Sequence, residues 1–254
     1  MLTPGLVSVT FRQYSVDEII AIVTRAGLKS IEWGGDVHAP HGDTDRASEV
    51  RRKTEAAGLE VACYGSYYRL GTSEEDGLRF DDVLQTARAL GAPHIRVWAG
   101  NVSSGEADES YRGKVAADAL RIAGQAAEHE IGIAYEFHRN TLTDTNESAL
   151  DLLGRTEHPN ITTLWQPPNG QPLEYCVEGL RAVLPRMSNV HVFHWWPTNK
   201  DRNPLDAGYG RWKTYLDLIR STGRDHHLLM EFVNDNDPEN FLADAATLRS
   251  WIEG

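Results

Sequence analysis

The chain has 254 residues, of which 41% are apolar, and this size and composition predict a globular protein with a large buried core. Its net charge of -12 argues against nonspecific binding to nucleic acid or to an anionic membrane. The apolar runs are too short to cross a membrane, the N-terminal residues do not resemble a secretion signal, and two cysteines cannot form a disulfide framework. We therefore expect a cytoplasmic protein.

Short apolar segments alternate with helical patterns along the whole chain. The segments begin near Leu6, Ser30, Leu59, His94, Gly132, Ile161, Val190 and His227. Each interval is long enough for one strand, one crossover helix and the connecting loops. Eight such units predict a single (β/α)8 barrel, the TIM barrel architecture, over residues 1–254.

The ends of the helices are marked by residues that satisfy free backbone groups. Ser15 and Glu18 form a capping-box pattern before an apolar stripe, and Asp237 precedes Pro238 at the start of the last helix. Glycines that suit a left-handed residue after a helix stand at Gly27, Gly58, Gly91 and Gly223.

The last four predicted strands each carry one polar residue near the carboxyl end. In chain order these residues are Glu136, Gln166, His191 and Glu231. Parallel strands of a barrel end at one mouth, and buried carboxylates need a partner charge, a proton or a metal ion. The four positions together predict a divalent metal site. A structural ion pair between a glutamate and Arg96 or Arg139 remains the alternative.

The donor set predicts the kind of ion. Three oxygen ligands and one imidazole favour Mn2+ or Mg2+, with Zn2+, Co2+ and Ni2+ as further candidates. We also expect the mouth to bind a small sugar or polyol, because aromatic and polar side chains cluster around it. The predicted substrate-binding residues are Trp33, His38, Tyr68, Trp98, His138, Asn169 and Arg202. The alternative for the aromatic residues is packing at the top of the barrel.

Four strand-end segments resemble the xylose isomerase-like barrel superfamily of sugar isomerases and epimerases. They are YEFH at Tyr135, LWQPPN at Leu164, NVHVFHW at Asn189 and LLMEF at Leu228. The segments IEWGGDVHAPHG at Ile31 and YGSYYRLG at Tyr64 are similar to a bacterial subgroup described as sugar phosphate isomerases or epimerases.

The resemblance implies a metal held by Glu, Asp, His and Glu from strands five to eight. Glu136, His191 and Glu231 match these ligands, whereas Gln166 stands where aspartate is usual and Asn169 where histidine often follows. A neutral amide removes one negative charge from around the ion. This difference implies weaker metal binding, a more Lewis-acidic ion or altered chemistry.

The implied activity is isomerisation or epimerisation through an enediolate, with Glu136 and Glu231 carrying the proton. A dehydratase or lyase acting on a keto-sugar or inosose is an alternative, and so is a sugar-binding barrel without catalysis. A metal-dependent endonuclease is disfavoured by the negative charge. Barrels of this family often pair, so a homo-oligomer is one expectation.

Overall fold

Eight parallel strands pair in chain order, and the last strand closes against the first. The computed structural model describes residues 1–253. The strands are β1 (Leu2–Val7), β2 (Ser30–Gly34), β3 (Glu60–Arg69), β4 (His94–Trp98), β5 (Gly132–Glu136), β6 (Ile161–Trp165), β7 (Met187–Val192) and β8 (His226–Met230). The closed ring confirms the predicted (β/α)8 barrel.

One long helix separates each strand from the next, and the eighth helix follows β8. The helices are α1 (Val16–Arg25), α2 (Thr44–Ala56), α3 (Phe80–Leu90), α4 (Glu109–Ala127), α5 (Asn146–Arg155), α6 (Leu173–Val183), α7 (Tyr209–Arg220) and α8 (Pro238–Glu253). Among the described residues, none of these helices is both long and apolar enough for a membrane crossing.

Two strands begin earlier than the apolar pattern predicts. β1 starts at Leu2 instead of Leu6, since Pro4 and Gly5, which are typical of turns, lie inside the strand and pair with β8. β7 starts at Met187 instead of Val190, although Ser188 and Asn189 are polar. Pairing with neighbouring strands therefore overrides local residue preference at both positions.

The predicted helix signals are present in the structure. The Ser15 hydroxyl accepts the Glu18 N–H at 3.4 Å, and the Glu18 carboxylate accepts the Ser15 N–H at 2.7 Å. The Asp237 side chain accepts the N–H of Glu239 at 2.8 Å in the first turn of α8. The four glycines that follow helices all have positive φ, between 66° and 72°.

The apolar core has two parts of different size. The larger part lies between the strands and the helices, and it includes Ile31 and Trp33 of β2. A small cluster inside the barrel consists of Val7, Val9, Ala62 and Leu229. Side chains alternate along a strand, so the residue between Ile31 and Trp33 faces the barrel axis. Polar residues within the strands can therefore meet inside the barrel, below its mouth.

Candidate metal centre and active site

Three of the four predicted ligands come together at the carboxyl ends of β5, β7 and β8. Potential ligand atoms of Glu136, His191 and Glu231 all lie within 4.8 Å of one another. The His191 Nδ1 atom is 3.8 Å from Glu136 Oε1 and 3.6 Å from Glu231 Oε2. All three residues are buried, with 2%, 0% and 7% of the residue surface exposed. This triad can hold a metal ion.

Gln166 lies beside the triad. Its Oε1 atom is 3.0 Å from His191 Nδ1, and its amide nitrogen donates to the Phe137 carbonyl at 2.5 Å. The bond to Phe137 holds the amide so that its oxygen faces the imidazole edge used by the two glutamates. Gln166 is therefore a candidate fourth ligand in the orientation that ligation requires.

A second pair of charged residues lies beneath the triad. The Arg96 Nε atom donates to Glu32 Oε1 at 2.6 Å, and Arg96 Nη1 donates to Glu136 Oε2. The other oxygen of Glu32, Oε2, lies 3.3 Å from His191 Nε2. Glu32 and Arg96 are almost completely buried. Arg96 is thus the ion-pair partner of Glu136, and Glu32 contacts the edge of His191 that faces away from the triad.

A search for polar residues at strand ends misses Glu32. The signal that identifies both Glu32 and Arg96 is a charge inside an apolar strand. Glu32 stands between Ile31 and Trp33, and Arg96 stands between two apolar residues of β4. Since buried charges are rare unless paired, two such positions in separate strands indicate a pair inside the barrel.

Opposite charges outweigh burial in setting the pKa values of this centre. Burial alone raises the pKa of Glu32, but the charges of Arg96 and His191 bring it down to about 2. Burial alone lowers the pKa of His191, but Glu231 and Glu32 raise it to about 10. The pKa of Arg96 rises above its ordinary value because Glu136 and Glu32 outweigh burial. Negative charge therefore dominates the site.

The donor chemistry of the site fits a divalent cation. Three buried carboxylates, those of Glu32, Glu136 and Glu231, face one guanidinium from Arg96. With His191 protonated, as its raised pKa indicates, one negative charge remains without a counter-charge. A divalent ion that replaced the imidazole proton at Nδ1 would face two uncompensated negative charges, which its charge of +2 would neutralise. Carboxylate oxygens with one imidazole are ligands that Mn2+ and Mg2+ accept.

A cavity of about 270 Å³ opens above the triad at the barrel mouth. Four of the predicted substrate-binding residues line it: Trp98, His138, Asn169 and Arg202. Trp98 also contacts the triad, because its Nε1 atom donates to Glu136 Oε2 at 2.5 Å. The Trp98 ring stacks on His138 with centroids 4.4 Å apart. An adjoining cavity of about 320 Å³ shares the His138 and Asn169 wall.

Three predicted substrate-binding residues do not line this cavity, which corrects the expectation for them. Trp33 faces α2, where its Nε1 donates to the Thr54 hydroxyl at 3.1 Å. Tyr68 faces α4, where its hydroxyl donates to Asp118 at 3.2 Å. His38 is buried in the loop after β2 and contacts the Ser8 hydroxyl at 3.0 Å. Strand alternation turns Trp33 outward, and an irregular register in β3 turns Tyr68 outward.

Tyr67 takes the place that was expected for Tyr68. It lines the cavity, and its φ of 55° lies in the left-handed region, which is uncommon for an aromatic residue. Phe232, next to Glu231, also lines the cavity and has a φ of 44°. Such backbone strain concentrates at functional sites. Lining residues outside the predicted substrate-binding set also include Arg12, Arg139, Trp195 and Asn199.

A family model described as "Xylose isomerase-like TIM barrel" matches residues 20–251. The match covers most of the sequence, and the chain belongs to this family.

A curated relative with a stated activity is 3-dehydroshikimate dehydratase from Bacillus anthracis. It is 26% identical over 170 residues, which is 62% of this chain. The matched region spans 59% of the length of that dehydratase.

Solved structures of the same fold include proteins with different activities. A probable 3-DHS dehydratase from Bacillus anthracis has a TM-score of 0.81 at 21% identity and covers 98% of this chain and 99% of its own. D-allulose 3-epimerase from Methylomonas sp. has a TM-score of 0.73 at 15% identity, with 98% and 97% coverage. A xylose isomerase-like protein from Mycobacterium smegmatis in complex with magnesium has a TM-score of 0.74 at 14% identity, with 98% and 96% coverage. These likenesses support the fold.

Proposed function

We propose that the protein is a divalent-metal-dependent enzyme that removes a proton from the carbon next to a carbonyl in a small polyhydroxylated substrate. The observation that carries this proposal is the buried triad of Glu136, His191 and Glu231, whose ligand atoms lie within 4.8 Å of one another at the barrel mouth. Active sites of (β/α)8 barrels lie at this face. The cavity above the triad has the size of a small-molecule site.

The residues proposed to hold the ion are Glu136, His191 and Glu231, with Gln166 as the fourth ligand. A bound Mn2+ or Mg2+ would stabilise the negative charge that develops on the substrate oxygens as the proton leaves. Glu32 and Arg96 support this arrangement, because Glu32 contacts His191 Nε2 and Arg96 contacts Glu136. Trp98, His138, Asn169 and Arg202, which line the cavity, are proposed to contact the substrate.

The two glutamates have different surroundings, and this difference identifies the base. Glu136 Oε2 accepts hydrogen bonds from Arg96 and Trp98. Glu231 lines the cavity, and its ion-pair contact among the described residues is with His191 Nδ1, 3.6 Å away. A carboxylate without strong donors is more available to accept a proton. We assign proton abstraction to Glu231 and ion binding to Glu136.

A single carboxylate without strong donors favours loss of water over epimerisation. In a dehydration, Glu231 would take the proton from the carbon next to the carbonyl, and the bond between the β-carbon and its hydroxyl group would break. The proton would then pass to the departing hydroxide to form water. Epimerisation needs a second group to return the proton to the opposite face, and Glu136 is held by two donors. The 26% identity with a dehydratase supports the same choice. We therefore propose a lyase reaction, with isomerisation or epimerisation as the alternative outcome.

The test is to incubate the Mn2+-loaded protein in D2O with 3-dehydroshikimate, D-allulose and a panel of ketoses and inososes, and to follow the reaction by NMR. Dehydration predicts loss of water from a substrate with a β-hydroxyl group, and Glu231→Gln should slow it about 10²- to 10⁴-fold. Deuterium incorporation beside the carbonyl without water loss would establish the isomerase or epimerase alternative. Absence of both, in a protein that also binds no Mn2+, would leave a non-catalytic barrel.

A further inference from the structure

Four arginines line the cavity above the metal centre, although the chain as a whole is strongly negative. They are Arg12, Arg96, Arg139 and Arg202. Arg96 is paired with Glu32 and Glu136, and Arg12 is paired with Asp36 at 2.6 Å. In the part of the chain that the structure describes, no carboxylate lies within ion-pair distance of Arg139 or Arg202. The cavity wall therefore presents two guanidinium groups that form no ion pair with a carboxylate of residues 1–253.

Arg202 differs from Arg139 in how it is held. Its Nη1 atom donates to the Asn236 side-chain oxygen at 2.9 Å, and the guanidinium lies 4.6 Å from the centroid of the Phe232 ring and 5.7 Å from that of Trp195. Antiparallel backbone pairing between Trp195 and Arg202 fixes the loop after β7. Arg139 is exposed and has no such support. Arg202 is thus a preorganised donor, whereas the Arg139 guanidinium has no comparable contact among the described residues.

The surroundings of Arg202 are costly for a cation without an anion. The residue is partly buried, and within residues 1–253 the one hydrogen-bond partner of its guanidinium is a neutral amide. Two aromatic rings displace water beside it. Burial lowers its pKa, although Glu231 acts in the opposite direction. A planar guanidinium with free N–H groups fits a carboxylate or phosphate in bidentate geometry.

We propose that Arg202 binds a carboxylate of the substrate, so that the enzyme acts on a small hydroxylated carboxylic acid and not on a neutral sugar. This inference rests on the proposed function, because it assumes that the carbonyl end of the same substrate lies next to Glu231. Arg202 and Glu231 line the same cavity of about 270 Å³, so one small molecule can reach both side chains. Arg202 is a binding residue in this proposal and carries no proton.

The experiment measures binding by calorimetry on the Mn2+-loaded protein with two matched pairs of probes. These pairs are shikimate with its methyl ester, and D-gluconate with D-glucitol. We expect at least one acid to bind about tenfold or more tightly than its neutral partner, because a charge-assisted hydrogen bond contributes at least that factor. Arg202→Gln should remove the preference, and Arg202→Lys should retain part of it.

Arg139→Gln is the matched control, because it removes a positive charge from the same cavity and should leave most of the preference. Asn236→Ala should weaken acid binding while keeping the charge, since it frees the guanidinium. Arg202→Met, which keeps the contact with Phe232, replaces Arg202→Gln if that variant does not fold. The proposal is overturned if neither acid binds more tightly than its neutral partner. It is also overturned if the preference survives loss of the Arg202 charge, as it would if the Mn2+ ion alone bound the acid.

Failure of this inference can be distinguished from failure of the proposed function. The titration measures binding, whereas the proposed function is tested by Mn2+ binding and by turnover in D2O. An acid preference in a protein without turnover contradicts the proposed function and supports Arg202 as an anion site. Turnover of a neutral ketose with no acid preference contradicts the Arg202 proposal and leaves metal-dependent proton abstraction intact.

Discussion

His191 and Glu32 lie on β7 and β2, on separate parts of the barrel wall, yet His191 Nε2 is 3.3 Å from Glu32 Oε2 in the interior. Both side chains are completely buried. The contact turns the other ring nitrogen, Nδ1, toward Gln166, Glu136 and Glu231. A carboxylate behind a histidine ligand fixes the ring and its tautomer, and such partners strongly affect metal affinity.

Glu32→Gln is therefore expected to weaken Mn2+ binding about 10- to 100-fold, because the amide no longer provides a negative charge behind the imidazole. Calorimetric titration of Mn2+ measures this change without any substrate. Glu60→Gln is the matched control, since Glu60 approaches His227 Nε2 at 3.9 Å but is mostly exposed. Unchanged Mn2+ affinity in Glu32→Gln would show that the Glu32 contact does not position the ligand.

The sequence predicts the barrel, and it predicts the triad because apolar segments and polar strand ends are local patterns. It does not predict which of two adjacent side chains points into the barrel when both are of a type found in binding sites. Trp33 is the more conspicuous residue of its strand, yet the buried charge of Glu32 faces the interior. Tyr67 and Tyr68 are adjacent tyrosines, so the sequence does not distinguish them as candidates for the cavity. An irregular register between β3 and β4 brings Tyr67 into the cavity. Such register shifts arise from pairing between strands, which cannot be predicted from the local sequence pattern.

Arg96→Gln is expected to destabilise the metal-free protein by about 3–5 kcal/mol, because it leaves Glu32 and Glu136 buried without their counter-charge. Added Mn2+ should raise the melting temperature of this variant by more than it raises that of the wild type, since the ion then supplies the missing positive charge. Thermal unfolding with and without Mn2+ measures both effects. Equal Mn2+ stabilisation in the two proteins would contradict a metal site beside Glu136.

Glu136→Gln and Glu231→Gln should both lower turnover, but for different reasons. Loss of the base in Glu231→Gln is expected to reduce turnover about 10²- to 10⁴-fold even at saturating Mn2+. Glu136→Gln should first weaken Mn2+ binding, so that excess Mn2+ restores part of the activity. Steady-state rates over a range of Mn2+ concentrations separate the two cases. Restoration of Glu231→Gln by excess Mn2+ would reverse the assigned roles.

Asp244 in α8 gives a prediction for stability as a function of pH. Burial raises its pKa to about 6, although the Leu205 N–H donates to it at 2.8 Å and lowers the pKa. The raised value means that the folded protein binds a proton more strongly than the unfolded chain. The stabilising contribution is complete below about pH 4, the ordinary range of this carboxyl, and is lost as the pH rises through 6.

Asp244→Asn retains an acceptor for Leu205 and removes the charge. It should stabilise the protein by about 1 kcal/mol at pH 8, after allowance for solvent screening, which corresponds to about 2–4 °C in melting temperature. At pH 4 the two proteins should melt at similar temperatures. Asp206→Asn is a control that should act in the same direction but less strongly, because the Asp206 charge is a smaller contributor to the raised pKa. A difference that does not change with pH would contradict the assignment to Asp244.

Gln166 is the position at which the chain departs from the ligand set that its family resemblance implies. If its oxygen ligates the ion, Gln166→Asp should tighten Mn2+ binding, because the added carboxylate supplies negative charge. Turnover should fall at the same time, since that charge reduces the Lewis acidity of the ion. The shorter side chain also loses the 2.5 Å bond to the Phe137 carbonyl, at a cost of about 1 kcal/mol in stability. Gln166→Asn is the control, because it shortens the side chain equally without adding charge. Mn2+ titration and initial rates on both variants give the comparison. Tighter binding by Gln166→Asp than by Gln166→Asn places residue 166 next to the ion, whereas equal affinities would leave the ion with Glu136, His191 and Glu231 as its protein ligands.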